Sequence, residues 1–463
     1  MGEESGNGGG GGGGHVLVFP YPIQGHINPM IQLSKRLSAK GLAVTLVVAS
    51  NEQSDPYVAE YSISLRTIFN GFDQHDHPLV MLRRTHRFND CTSRSLSQFI
   101  QSEMLSERPP KAVIYDPFMP WALDVAKDLG LRAVAYFTQP WSVNLIYHHI
   151  NEGTYHVPTS RHDHPTLSSF PALPLLSQKD LPSFACESGS YPHLFDLVVS
   201  QFSNFRRADC ILCNTFDQLE DKVMKWMGKE WPVKNIGPVV PSKFLDNRLP
   251  EDKDYGLGHF RPKPGGDAIK WLQTKPSKSV VYVSYGTLAA LDEKQMKEIA
   301  FGMRESGFSF LWSLRDSERN KLPHGFLEEV SKNDLGLVVN WTSQLEVLAQ
   351  GSVGCFVTHC GWNSTLEALC MGIPLVGMPQ WTDQPTNAKF IEDVWKVGVR
   401  VKAEKDGLVK KEEISRCVRE VMEGETGKEM RKNAEKWKVL ACEAVSEGGS
   451  SDRNLDEFVA MFG

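Results

Sequence analysis

His15-Val16-Leu17-Val18-Phe19-Pro20, then Met30, Leu33, Ser34 and Leu37, then Ala43-Val44-Thr45-Leu46-Val47-Val48-Ala49: along this passage the hydrophobic pattern changes period twice. The first run is short, apolar and unbroken, which reads as a buried strand. The next recurs at helical spacing and is closed by Gly41, and the third is β-branched and apolar again. Strand, helix, strand is the right-handed unit of a parallel sheet. Working outward, the unit repeats. Ala112 to Tyr115 reads as strand, Trp121 to Leu129 as a helix ended by Gly130, and Ala133 to Phe137 as strand. From Pro238 to Gly266 the apolar periodicity stops and Pro, Gly, Asp and Lys take over, which is linker composition. A second series follows: strand at Val280 to Tyr285, a capping-box start at Asp292 with Gln295, a stop at Gly307, and strand again at Phe310 to Leu314. Cys355 to Thr358, Thr365 to Met371 and Pro374 to Met378 give one more strand, helix, strand.

The fold class is therefore α/β, with two facing Rossmann-like, doubly wound parallel-sheet domains at 15–240 and 267–446 and a linker at 241–266. Residues 1–14 are expected as a disordered Gly-rich tail, and 447–463 as a segment packing back on the N-terminal domain. A chain of 463 residues exceeds the size at which one core keeps growing. Two such domains leave one place for a ligand, the cleft bordered by the carboxyl ends of both sheets.

A formal charge of -6 and the absence of a basic stripe argue against a nucleic-acid surface. The nine cysteines are scattered and odd in number, as where thiols stay reduced. Cys210 and Cys213, three apart in a strand-like run, face opposite ways. No run approaches the roughly 18 apolar residues of a membrane span. The Gly-rich, acidic start is unlike a signal peptide, and Gly6 stands where myristoylation needs Ser or Thr. A cytoplasmic monomer is the expectation.

Thr358-His359-Cys360-Gly361-Trp362-Asn363-Ser364-Thr365-Leu366-Glu367 lies where a strand ends and a helix begins. Uncapped amides and the positive helix end make such a junction an anion site, with Gly361 allowing close approach and His359, Asn363 and Ser364 as donors. By itself, an Asn-Ser pair there is ordinarily a helix cap. Glu367, one turn beyond Asn363, adds an acceptor for vicinal hydroxyls such as those of a ribose. Phosphate donors followed by a diol acceptor is the order of parts in a nucleotide. Trp341 offers an indole to a base, with Gln344 close behind, although a core Trp would look the same. Trp381-Thr382-Asp383-Gln384 sets a carboxylate and an amide after a strand, which suits sugar hydroxyls as well as it suits a turn.

Trp341 to Gln384 resembles, along its whole length, the signature box of plant secondary-product glycosyltransferases, a branch of the family 1 UDP-sugar enzymes with the GT-B fold. The resemblance extends to nearly the whole chain and includes Ser284-Tyr285-Gly286-Thr287, similar to the family's phosphate-touching loop. It implies that Trp341 stacks on uracil, that Gln344 and Glu367 hold the ribose, and that His359, Gly361, Asn363, Ser364, Ser284 and Thr287 surround the diphosphate. It further implies that Trp362, Asp383, Gln384 and Thr138 meet the transferred sugar, with Gln384 accompanying glucose. Phe72 to Ser97 is much less recognisable.

His26 stands in Pro22-Ile23-Gln24-Gly25-His26-Ile27-Asn28-Pro29, between the first strand and its helix. A lone His there would ordinarily be structural. Asp116 ends the run Val113-Ile114-Tyr115, and strand ends of one parallel sheet converge, so its carboxylate reaches the second ring nitrogen and fixes the tautomer. The family match implies the catalytic pair at these same positions. The reaction so implied is transfer of glucose from UDP-glucose to a hydroxyl of a small apolar acceptor of steroid, terpenoid or phenolic type. Direct displacement converts an α-linked donor to a β-glycoside, with no cofactor and no metal required. Phe118, Trp121, Trp141, Phe184 and Trp381 are expected to wall the acceptor, with Phe118 and Trp381 foremost. Asp252-Lys253-Asp254 has the look of a metal clamp but sits in the charged linker and reads as a solvated turn. His75-Asp76-His77 and His162-Asp163-His164 lack a third partner and read as surface. Three other readings compete: ester formation on a small carboxylic acid, a non-catalytic ligand sensor, and a hydrolase using Cys360 beside His359.

Overall fold

The computed structural model describes residues 13–51, 58–73, 80–158, 168–186, 189, 192–257, 266–287 and 289–462. The expected tail therefore lies outside the described residues up to position 12. Gly14 is not loose, since its carbonyl accepts from Ala43 N at 3.0 Å. Both His-Asp-His triplets also lie outside the described residues.

Two sheets carry the chain. The first has strands β1 (His15–Phe19), β2 (Ala43–Ser50), β3 (Val58–Glu60), β4 (Ile63–Phe69), β5 (Pro110–Tyr115), β6 (Arg132–Phe137), β7 (Cys210–Cys213) and β8 (Val233–Asn235), in the order β3-β4-β2-β1-β5-β6-β7-β8. All its pairs are parallel except β3 with β4. The second has β9 (Val280–Ser284), β10 (Ser309–Ser313), β11 (Gly336–Val339), β12 (Val353–Thr358), β13 (Leu375–Gly377) and β14 (Gly398–Arg400), all parallel, in the order β11-β10-β9-β12-β13-β14. The doubly wound reading holds for both.

The apolar runs of β1, β5 and β9 are buried on both faces, as strands sandwiched between helix layers must be. The Cys210 and Cys213 side chains join different cores on the two sides of the first sheet. Helix stops fall at the expected glycines, with Gly41, Gly130 and Gly307 at φ +91, +75 and +81. Asp292 caps the helix Glu293–Ser306 by accepting from Gln295 N at 2.7 Å. Gln295 does not return the bond, because its amide pairs with the Val409 backbone through both its oxygen and its nitrogen. The final helix, Ser450–Ala460, places Leu455 and Phe458 in the core beneath β1 and β5. Among the described residues no helix is long and apolar enough to cross a membrane.

The stretch around Asp252 is not a solvated turn. Asp252 is fully buried and pairs with Lys35 Nζ at 2.9 Å, and its other oxygen accepts from Ser242 N at 2.8 Å. Lys35 also donates to the Asp254 carbonyl at 2.8 Å, alongside Gln32 Nε2 at 2.9 Å. Charged composition concealed a buried ion pair that ties the crossing segment to the first helix, and burial without such a partner would be costly. Among the described residues no three His, Cys, Asp or Glu side chains gather as a metal-binding group.

Candidate active site

In a doubly wound sheet the ligand crevice opens where strand order reverses. The first sheet reverses between β1 and β5, paired through Phe19 and Tyr115, and His26 follows β1 while Asp116 follows β5. The pair meets at 2.6 Å, His26 Nδ1 to Asp116 Oδ2, with both residues buried. Asp116 Oδ1 accepts from Phe118 N at 3.0 Å, and Thr138 Oγ1, just past β6, lies 3.1 Å from the same Nδ1. A hydrogen bond to a charged group of this kind contributes about 1.5–3 kcal/mol and fixes which ring nitrogen holds the proton. Nδ1 is thus committed and Nε2 is the free nitrogen. His26 does not cap its helix, Gln24–Ala39, which has no side-chain cap.

Pro29 has a consequence across the cleft. It lacks an N–H, so it cannot donate to the Gly25 carbonyl four residues earlier. Asn363 Nδ2, from the opposite half, donates to that carbonyl at 2.9 Å.

The second sheet reverses between β9 and β12, paired through Ser284 and Thr358, and His359 follows β12. Cys360 adopts φ +65, a left-handed conformation costly for a residue with a side chain and typical of functional turns. The helix Trp362–Met371 then starts at Gly361 with no side-chain cap, so its first amides stay open to an anion. Asn363 and Ser364 are not caps: one reaches Gly25, and the other accepts from Gln344 Nε2 at 2.9 Å. A Cβ on Gly361 or Gly286 would come within 2.6 or 2.8 Å of His359 Nε2, so both glycines are set by close approach to the ring. Burial pushes His359 down to about 4, which leaves it neutral with one N–H, and the Ser284 backbone already bonds the ring.

Glu367 accepts from Gln344 Nε2 at 2.6 Å and bonds Tyr255, while burial raises its carboxyl to about 7. Trp341 is 40% exposed at the mouth, an indole face open to a planar ring. Arg315 holds the loop after Ser284 through the Thr287 and Ala289 carbonyls. Asp383 is gripped by Thr382 and Asn387 at 2.8 and 2.7 Å, and burial raises its carboxyl too. The Gln384 oxygen accepts from Gln380 N and Trp381 N, which leaves its NH2 as the unspent end. Trp362 also lines the cleft, but its indole N–H is spent on the Asn214 carbonyl at 2.7 Å.

These groups border one cavity of about 890 Å³, into which His26, Thr138, Ser284, Thr287, Trp341, His359 and Gln384 all face. Of the expected acceptor aromatics, Phe118, Phe184 and Trp381 line it. Trp141 does not: it is fully buried and its indole donates to Asn235 at 3.0 Å. Trp121 does not either, being turned to Asn89 and edge-on to Phe19. Both start helices at the sheet's carboxyl edge; Trp141 folds under its helix into the core, and half-buried Trp121 packs against that core instead of over the crevice. Cys360 is fully buried with its thiol against the Thr358 carbonyl, and burial pushes it up to about 12, the opposite of an activated thiol. Sequence reasoning missed Tyr21, Leu82, Tyr255 and the trio Leu194, Leu197 and Val198. Only the trio left a signal, helical spacing along Pro192–Ser200.

Residues 240–434 match the family described as UDP-glucoronosyl and UDP-glucosyl transferase. UDP-glycosyltransferase 74C1 of Arabidopsis thaliana is 67% identical over 448 residues, spanning 96% of this chain and 98% of that protein. Mogroside I-E synthase of Siraitia grosvenorii is 49% identical, covering 96% of this chain and 98% of its own length. The crystal structure of Os79 from O. sativa in complex with UDP superposes with a TM-score of 0.87 at 37% identity, covering 97% of this chain and all of that one. With identity this high running almost end to end, on two sheets wound as described, this chain belongs to the plant UDP-glycosyltransferases of GT-B fold.

Proposed function

We propose that this enzyme transfers glucose from UDP-glucose to a hydroxyl of a flat or fused-ring apolar acceptor, of steroid, terpenoid or phenolic type, with inversion at the anomeric carbon. The observation that carries the mechanism is the His26–Asp116 bond of 2.6 Å facing, across one cavity, the uncapped helix end at Gly361. Asp116 accepts the hydrogen bond from Nδ1–H, which leaves Nε2 unprotonated to remove the acceptor's proton as its oxygen attacks the anomeric carbon. The bond to the diphosphate oxygen breaks on the opposite face. Such base assistance is worth about 10²–10⁴ in rate, roughly 3–5 kcal/mol. Charge building on the leaving UDP meets the helix amides with Asn363, Ser364, Ser284 and Thr287 around them. His359, neutral and bonded to the Ser284 backbone, borders the same site from the strand end. Trp341 stacks on uracil, Gln344 and Glu367 hold the ribose, and Trp362, Asp383, Gln384 and Thr138 hold the sugar. The scheme needs no metal.

The acceptor side is lined by Tyr21, Leu82, Phe118, Phe184, Leu197 and Trp381. The cations that border the cavity among the described residues, Lys253 and Arg315, stand beside Tyr255 and the Thr287 loop, on the donor side. An acceptor carboxylate has no cation to pair with there, and being already ionised it has little use for a base. The test is incubation with UDP-glucose and a panel of alcohols, phenols and carboxylic acids, followed by mass spectrometry and NMR of the anomeric proton. A hexose added to hydroxyls as a β-glycoside is expected. Transfer to acids alone, an α-glycoside, or no transfer would overturn the reading.

A further inference from the structure

Part of the acceptor wall is registered to the wrong sheet. The segment Ser177 to Cys186 belongs to the first half of the chain, yet a set of its bonds goes to the second. Asp180, 3% exposed, meets Arg400 Nη1 at 2.9 Å and has Lys389 Nζ at 3.9 Å. The Asp180 carbonyl accepts from Thr386 Oγ1 at 2.7 Å, and the Lys179 carbonyl from Arg400 Nη2 at 2.6 Å. Ser183 N donates to the Thr382 carbonyl at 2.8 Å. Within the segment, Asp180 Oδ2 closes a capping box on Ser177 through N at 2.9 Å and Oγ at 2.5 Å, so the carboxylate is held rigidly before it reaches Arg400. The guanidinium bonds two acceptors at once, a fork geometry that a lysine cannot reproduce.

What the clasp holds matters for acceptor binding. Phe184, one residue after Ser183, lines the cavity and meets Trp381 edge-on at 6.2 Å. Thr386 and Lys389 lie on the short helix Gln384–Lys389, which begins with the residue assigned to the sugar. We infer that Asp180 and Arg400 are positioning residues for acceptor binding: the clasp fixes the Phe184 wall relative to Trp381 and Gln384, so acceptor and sugar are registered to one rigid unit. The inference rests on the glucosyl-transfer reading above.

Arg400→Met keeps the aliphatic stem and removes the fork. In the full-length enzyme, with UDP-glucose and a flavonol as the probe acceptor, it raises acceptor KM about five- to ten-fold, while the Kd for UDP by calorimetry stays within about two-fold. Arg400→Lys recovers part of the loss, and UDP-glucose hydrolysis relative to transfer rises in Arg400→Met. Because both act through one wall, Arg400→Met combined with Phe184→Ala is little worse than the larger single effect. An unchanged acceptor KM, multiplicative effects in the double variant, or acceptor KM and UDP Kd rising together would each overturn the clasp. Wild-type enzyme that transfers no glucose to any acceptor overturns the reading beneath it instead.

Discussion

The two walls of the cleft hold their ligand groups in opposite ways. On the donor wall several polar side chains are already bonded to a neighbour: Gln344 to Glu367 and Ser364, Asp383 to Thr382 and Asn387, the Gln384 oxygen to two backbone amides. On the acceptor wall rings and aliphatic chains dominate among the described residues, with His26, Asp116 and Thr138 forming a polar cluster. A wall of prebonded donors and acceptors suits a single ligand, because any group that fails to replace those bonds leaves a buried one unpaired, at about 1–3 kcal/mol each. A wall of apolar surface rewards area and shape, and it discriminates weakly between ligands of similar size. The contrast predicts a narrow choice of donor and a wider choice of acceptor.

The sharpest way to break the contrast is to remove the proposed base, His26. His26→Ala should lower kcat for an aliphatic alcohol acceptor by about 10²–10⁴, with UDP affinity by calorimetry unaltered. A phenol, which ionises more readily, should lose less. Undiminished turnover of the alcohol would take the base out of the mechanism, and a parallel loss of UDP binding would mean that the two walls are not independent.

The contrast also explains what could be read in advance. The donor wall comes largely from one continuous passage, Trp341 to Gln384, where strand end, glycine and helix start dictate where amides go, so side-chain roles follow from order along the chain. The first switch point was legible for the same reason, since β1 and β5 had to be neighbours for His26 to meet Asp116. The acceptor wall is assembled from separated segments, and an apolar residue at a strand's carboxyl edge faces cleft or core according to how its helix leaves. Phe118 and Trp141 carry the same signal and both pack in one core cluster, yet Phe118 also lines the cavity, 4.6 Å from the His26 ring centre, and Trp141 does not. Helix Thr85–Glu103 escaped because its polar residues and lack of a capping side chain leave no clear start. Tyr255 was hidden in a segment whose composition mimics a solvated linker, although the buried Lys35–Asp252 pair pins it in place.

A smaller effect tests whether the donor wall is prebonded in the way described. Glu367 sits at about 7 because burial outweighs the bonds from Gln344 and Tyr255. Two ribose hydroxyls need the ionised form, so a bound ribose competes with the proton and binding strengthens as pH rises through that value. Uridine, which carries no titrating phosphate, should bind up to about tenfold more weakly for each pH unit below 7 and reach a plateau above it. His359, at about 4, stays neutral over that range and adds no slope. Glu367→Gln should flatten the profile at reduced affinity, and a wild-type profile already flat between pH 6 and 8 would show that the carboxyl is not the ribose acceptor.

The smallest expected change lies on the apolar wall, where no single contact dominates. Phe118 packs on the His26 ring and Trp381 on Phe184, so the two rings border the cavity at separate places. Full burial of such a ring is worth about 1.5–3 kcal/mol, and a ligand covers only part of it. Each of Phe118→Ala and Trp381→Ala should therefore raise acceptor KM several-fold, and together roughly tenfold, measured by initial rates at saturating UDP-glucose. The rise should be larger for a rigid fused-ring acceptor than for a flexible one, which can repack into the space left behind. A double variant with wild-type acceptor KM would place the acceptor elsewhere in the cleft. Because Phe118 also flanks His26, its substitution should cost some kcat where Trp381→Ala costs none, and that difference separates a ring that orients the base from one that only covers the acceptor.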